Sequence, residues 1–200
     1  MKIGIMGGTF DPIHLGHLFL AQEVMGAYHL DKVIFVPSKI GPHKMNSVKT
    51  TPDVRYEMVK CAIADNQHFD VSDIEIKRQG ISYTIDTVRA FKRKYKSDSG
   101  YFITGADAIV GIETWREYKT LLKDINFIAA TRPSLKDEDL KAEINRLNDT
   151  YDVEIQMMDM LNLEISSSDI RRRCKAGRPI KYLVPDCVEK IIMERRLYDD

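Results

Sequence analysis

Charge of either sign is not in excess here: 30 basic residues meet 30 acidic ones, for a formal net charge of zero. A general nucleic-acid binder carries a basic surplus, so no nucleic-acid partner is expected, although a local basic pocket remains possible. Cysteine is scarce. Cys61, Cys174 and Cys187 are odd in number and have neither CxxC nor metal-ligand spacing, which argues against a disulfide scaffold or a zinc site. They read as reduced, buried small side chains, and a cytoplasmic location is expected. Long apolar runs are missing too, so neither a membrane span nor a membrane partner is expected. Gly7, Gly8, Asp11 and His14 break up the apolar character of the N-terminus, which argues against a signal peptide. Repeats, low-complexity stretches and linkers are lacking, so a single domain over 1–200 is expected, large enough for a real core. Monomer and homo-oligomer both stay open.

Two common phosphate loops are also absent. A P-loop requires G-x-x-x-x-G-K-[ST], but Gly16 is followed by His17. A dinucleotide-binding loop requires G-x-G-x-x-G, and Gly4, Gly7 and Gly8 have the wrong spacing, which argues against hydride chemistry with a nicotinamide dinucleotide.

What is present is one strand-to-loop-to-helix passage, Met6 to His17, on which the chain is organised. Ile3 and Ile5 alternate as in a short buried strand. Gly7 and Gly8 allow a tight turn and close approach to a ligand. Leu15, Leu18, Phe19, Gln22 and Val24 then begin an amphipathic helix. His14 and His17, three apart, share one face if that helix starts near Ile13. A helix start offers backbone donors and partial positive charge, so two imidazoles there suit an anion, most plausibly phosphate. The alternative is a pair of capping or core histidines.

Strand-like and helical stretches alternate downstream. Strands are expected over Lys32–Pro37, Phe69–Ile76, Tyr101–Thr104, Asn126–Ala130 and Val153–Met157. Helices are expected from Pro52 with Thr51 as cap, over Ser82–Tyr95 and Leu135–Leu147, after Ser166-Ser167-Ser168, and from Pro185 to Arg196. Six strands alternating with helices imply an α/β, doubly wound, mostly parallel Rossmann-like sheet, with a small C-terminal helical part from about 165. Such sheets bind ligands beyond the C-terminal ends of their strands.

The residues G-G-T-F-D-P-x-H-x-G-H resemble the H-x-G-H signature of the nucleotidyltransferase superfamily. Ile165-Ser166-Ser167-Ser168-Asp169-Ile170-Arg171 resembles its second signature, I-S-S-T-x-I-R, with Ser168 in place of the usual threonine. Pro42-His43-Lys44, Ser82 to Thr87, Gly105-Ala106-Asp107 with Trp115, Thr131-Arg132-Pro133 and Tyr182 to Pro185 extend the likeness over essentially the whole chain. Together they resemble bacterial nicotinate-nucleotide adenylyltransferase. The resemblance implies that ATP, carrying Mg²⁺, and nicotinate mononucleotide give the deamido dinucleotide and pyrophosphate, a late step of NAD biosynthesis. An amide-mononucleotide or phosphopantetheine adenylyltransferase is the near alternative, and a nucleotide sensor without catalysis the distant one.

The resemblance also distributes roles. The nucleophile is a 5′-phosphate, already ionised, so no general base is needed and catalysis reduces to positioning and charge stabilisation. His14 and His17 would act at the α-phosphate. Ser166, Ser167 and Ser168 with Arg171 would clamp the β- and γ-phosphates and the pyrophosphate, while Arg172 is expected to point elsewhere and Arg173 is left open. Lys44 would be a mobile phosphate contact, with His43 beside it. Gly7, Gly8, Thr9 and Phe10 would lie along the nucleotides. Gly105 and Asp107 would contact the adenosine, Asp107 taking the ribose hydroxyls or else capping the next helix, and Arg132 would meet the adenine end. Tyr83, Thr84 and Trp115 would form the pyridine pocket, although a single tryptophan is as easily a core residue. No protein residue is expected to ligate a metal.

Overall fold

The computed structural model describes residues 1–39, 48–95, 99–131, 137–159 and 163–199. Six strands pair in parallel: β1 (Lys2–Gly8), β2 (Lys32–Pro37), β3 (Phe69–Val71), β4 (Ser99–Gly105), β5 (Asn126–Thr131) and β6 (Ile155–Asp159). Their order in the sheet is β3-β2-β1-β4-β5-β6, so the winding reverses between β1 and β4. The doubly wound expectation holds, and that reversal is where such sheets open a crevice.

Strand alternation sorts the core onto two faces. Ile3, Ile5, Ile34, Val36, Phe102 and Phe127 point to the face covered by α3 (Thr84–Tyr95), α4 (Ala106–Val110), α5 (Tyr118–Asp124) and α6 (Asp137–Tyr151). Met6, Val33, Phe35, Ile103 and Ile128 point to the other face. There they meet α1 (Leu15–Ala27), α2 (Pro52–Ala62), α7 (Ser167–Lys175) and α8 (Asp186–Glu194). Parallel strands covered on both sides read as apolar runs, as KVIFVP does.

Beside shifts of one or two residues at the ends of α3, β4 and α8, the elements depart from the pattern in four places. The third strand stops at Val71. Ser72 Oγ accepts from the Ile74 N–H at 3.4 Å, and the Lys77 N–H closes back on the Asp73 carbonyl at 2.9 Å, so local turns outcompete the ladder. The sixth strand starts at Ile155 because Asn148 holds the preceding loop: the Val153 N–H donates to its carbonyl and the Ile155 N–H to its Oδ1. The first helix starts at Leu15, which leaves His14 as an extended cap. The short elements between Gly105 and Asp124 carry too few residues to show a period, and α4 and α5 had no counterpart in the sequence pattern. Thr51 caps α2 as expected, its Oγ accepting from the Val54 N–H at 3.5 Å.

Candidate active site

The crevice at the β1/β4 reversal is a cavity of about 420 Å³. Its floor is the C-terminal ends of the central strands, Met6 to Gly8 and Ile103 to Gly105. Its walls come from Thr9 to Asp11, His14, Gly16 and His17 on one side and Ser167, Ser168 and Arg171 on the other.

His14 is buried and His17 half-buried, with their rings stacked at 3.6 Å between centroids. Gly16 permits this. A Cβ there would lie 3.1 Å from His14 Nδ1, tighter than the ring could accept in place. The His14 N–H donates to His17 Nδ1 at 3.3 Å, which fixes a neutral His17 ring with its proton on Nε2. The Leu15 N–H donates to the Leu183 carbonyl at 3.0 Å. Two of the backbone donors that the sequence offered for an anion at this helix start are thus used within the protein.

The second helix start is bonded onto the first loop. Ser166 is the N-cap of α7, its Oγ accepting from the Asp169 N–H at 3.1 Å. Ser167 Oγ donates to the Pro12 carbonyl at 2.9 Å, across 155 positions of sequence. Arg171 donates through Nη1 to the Asp11 carbonyl at 2.6 Å and through Nη2 to Ser168 Oγ at 3.2 Å. Arg172 and Arg173 both pair with Asp169 instead, so the arginine expected to point away does so and the one left open joins it.

Two residues beneath the loop had no role in the sequence reading, although Asp11 stands within the first signature. Asp11 is 2% exposed and its carboxylate accepts from the Lys49 N–H, Thr50 Oγ1 and the Tyr198 hydroxyl, each at 2.7 Å. Arg55 is fully buried and donates to the Thr9 carbonyl at 2.6 Å and the Lys39 carbonyl at 3.3 Å. Burial pushes its guanidinium below the ordinary arginine range, opposed by the charge of Asp11. Helical spacing offered the signal: Arg55 falls on the same α2 face as Met58, Val59 and Ala62. Phe10, at φ +51°, is 2% exposed and meets His17 edge-on at 5.1 Å.

The remaining candidates divide. Gly105 lines the cavity and is the N-cap of α4, so capping does not fall to Asp107, which sits within the helix. The side chain of Asp107 and the whole of Lys44, His43 and Arg132 lie outside the described residues. Tyr83, Thr84 and Trp115 do not line the 420 Å³ cavity. They are half-buried on the α3 face, where Trp115 meets Phe102 edge-on at 6.3 Å and the Arg116 guanidinium lies 4.7 Å over the Tyr83 ring. A Cβ at Gly7 would approach Phe102 Cζ to 3.2 Å, so the buried Phe102 ring packs between the end of β1 and Trp115. The Trp115 segment is held at both ends. Arg89 of α3 pairs with Glu117 at 2.6 Å, and Arg146 and Tyr151 of α6 bond Glu113. These partners keep the Glu113 and Glu117 carboxyls below the usual carboxylate range.

Two helix starts brought to one cleft at a sheet reversal, with a histidine pair on the first and an arginine on the second, is nucleotidyltransferase architecture. The cytidylyltransferase-like family matches residues 5–173, and the chain belongs to it, within the group of nicotinate-nucleotide adenylyltransferases. A probable nicotinate-nucleotide adenylyltransferase of Thermoanaerobacter sp. (strain X514) is 48% identical, over 99% of this chain and 94% of the relative. One from Exiguobacterium sibiricum is 43% identical over 99% of each chain. Plasmodium falciparum nicotinic acid mononucleotide adenylyltransferase complexed with NaAD shares the fold, with a TM-score of 0.80 at 22% identity over 99% of this chain and 97% of that one.

Proposed function

We propose that this protein transfers the adenylyl group of ATP to nicotinate mononucleotide, giving deamido-NAD and pyrophosphate, with the whole chain acting as one domain. The observation that carries the reading is the bonding of Ser167 and Arg171 to the backbone of Asp11 and Pro12, which faces both helix starts into one crevice. ATP, bringing Mg²⁺ as part of the substrate, lies between the two walls, against Thr9 and Phe10 on one and Ser167 and Ser168 on the other. Mg²⁺ that arrives with ATP is held chiefly by phosphate oxygens.

The 5′-phosphate of the mononucleotide attacks the α-phosphorus of ATP. The bond from that phosphorus to the β-bridging oxygen breaks, and its electrons leave with pyrophosphate. His14 and His17 donate to the α-phosphate oxygens as charge builds, and Arg171 neutralises the departing pyrophosphate. Holding both nucleotides in line supplies roughly 7–11 kcal/mol of the barrier reduction. Lys44 adds a cation to the same phosphates, Ser166 keeps its role through the cap of α7, and Gly105, Asp107 and Arg132 serve the adenosine end. Tyr83, Thr84 and Trp115 take the pyridine ring on the opposite face of the sheet, reached past Gly7 and Phe102.

A cytoplasmic location suits the free cysteines and an ATP-dependent reaction; no helix among the described residues is long and apolar enough to cross a membrane. Pyrophosphate release is the test, measured with ATP and Mg²⁺ against nicotinate mononucleotide, its amide and phosphopantetheine in turn. Turnover with the acid mononucleotide well above the other two is expected. No turnover with any acceptor, alongside tight ATP binding, would replace the enzyme reading with a sensor.

A further inference from the structure

We infer that Tyr198 is a positioning residue for the ATP half of the site, acting through Asp11. Its hydroxyl donates to Asp11 Oδ1 at 2.7 Å, and Thr50 Oγ1 donates to the same oxygen at the same distance. Asp11 lines the nucleotide cavity, follows Phe10 at φ +51°, and offers its carbonyl to Arg171. One buried carboxylate therefore joins three distant pieces of chain at the root of the turn that carries the histidines. Tyr198 is 9% exposed and packed in the same core cluster as Phe10, Ile13 and Met58, while Thr50 closes the joint from a half-buried position. Burial, with the charge of Asp11, pushes the phenol far above its ordinary range, so it stays a donor throughout the working pH range.

A carboxylate buried this deeply keeps its place only while its donors do. Take one away and the Phe10–His14 turn gains freedom, so the phosphates lose a fixed partner while the pyridine pocket does not. Tyr83 and Trp115 pack on the other face of the sheet and share no hydrogen bond with this joint among the described residues.

The inference rests on the adenylyl-transfer reading, and Tyr198→Phe tests it because the ring that fills the core is kept. Three quantities are measured: the melting temperature, the KM for each substrate, and the Kd for a non-hydrolysable ATP analogue. The expected result is a parental melting curve to within a few degrees. The KM for ATP and the Kd for the analogue rise about tenfold, and the KM for nicotinate mononucleotide is unchanged. Thr50→Val combined with Tyr198→Phe should be no better than the poorer single variant and should keep the same one-sided pattern, because both donors act through the one Asp11 oxygen. Thr50→Val removes the second donor to the same oxygen and should give the same one-sided change, which decides the matter if Tyr198→Phe does not fold. Parental ATP constants in a folded variant, or equal changes for both substrates, overturn the inference. A parent protein that binds the ATP analogue yet releases no pyrophosphate sinks the transfer reading alone, and the binding comparison still decides this one.

Discussion

His17 has two jobs that different substitutions can separate. Its Nδ1 satisfies the His14 N–H at the start of α1, and the same bond leaves Nε2 to donate, which the proposed mechanism directs to a phosphate oxygen. His17→Ala removes both. Loss of a helix-start contact of this kind costs about 0.5–2 kcal/mol. In a chain of this length each kcal/mol lowers the melting temperature by about 2–4 °C. Loss of one preorganised donor to a developing oxyanion lowers turnover by about 10²–10³, or roughly 2.7–4 kcal/mol of barrier. His17→Gln divides these effects, because glutamine at the third helical position closes back on the N-cap N–H in an ordinary capping box. It should therefore melt like the parent. Its amide swings on a flexible stem, whereas the imidazole is locked at 3.6 Å against His14, so its turnover should still fall by about tenfold or more. Thermal melting and pyrophosphate release at saturating substrates are the assays. Parental turnover in His17→Gln refutes the phosphate role, and a parental melting temperature in His17→Ala refutes the capping role.

Ser166→Ala should cost about 1 kcal/mol of stability through the lost cap on α7 and raise the KM for ATP; chemical denaturation and initial rates report the two separately. Trp115 is the sole tryptophan, so its fluorescence should quench on titration with nicotinate mononucleotide but not with ATP. Trp115→Ala should raise the KM for the mononucleotide by about two- to tenfold, the worth of one aromatic stacking contact. Glu75 is 8% exposed, and burial pushes its carboxyl above the ordinary range despite the hydrogen bond from Thr87 at 2.7 Å. The folded protein then holds this proton more tightly than the unfolded chain does. Stability should fall as pH rises from the ordinary glutamate value through the raised one. Glu75→Gln should remove that slope and melt higher than the parent at neutral pH. An unchanged slope across a pH series of melting curves would refute it.

Local and repetitive features were legible in the sequence because they are written within a few residues. KVIFVP reads as a buried strand and Thr51-Pro52 as a capped helix start, and both form; the spacing of His14, Gly16 and His17 marks the start of α1. The two signatures identified the reaction class without any coordinates. The short turns near Ser72 and Asn148 were not legible, since side-chain bonds to the backbone decided them. Nor were α4 and α5, which are too short to have a period.

Tertiary structure decided what depends on distant residues meeting. Only the fold bonds Ser167 and Arg171 to the Pro12 and Asp11 carbonyls, turning two separate helix starts into one clamp. Only the fold sets Trp115 on the opposite face of the sheet from Phe10 and Ile13, because β1 and β4 alternate their side chains between two faces. Asp11 stands in the first signature and Arg55 on the apolar face of α2, yet nothing in the linear sequence joins either of them to Tyr198 or gives them a role. Their importance comes from burial: a charge taken out of water must be met by fixed partners, and those partners are chosen by packing rather than by sequence neighbourhood.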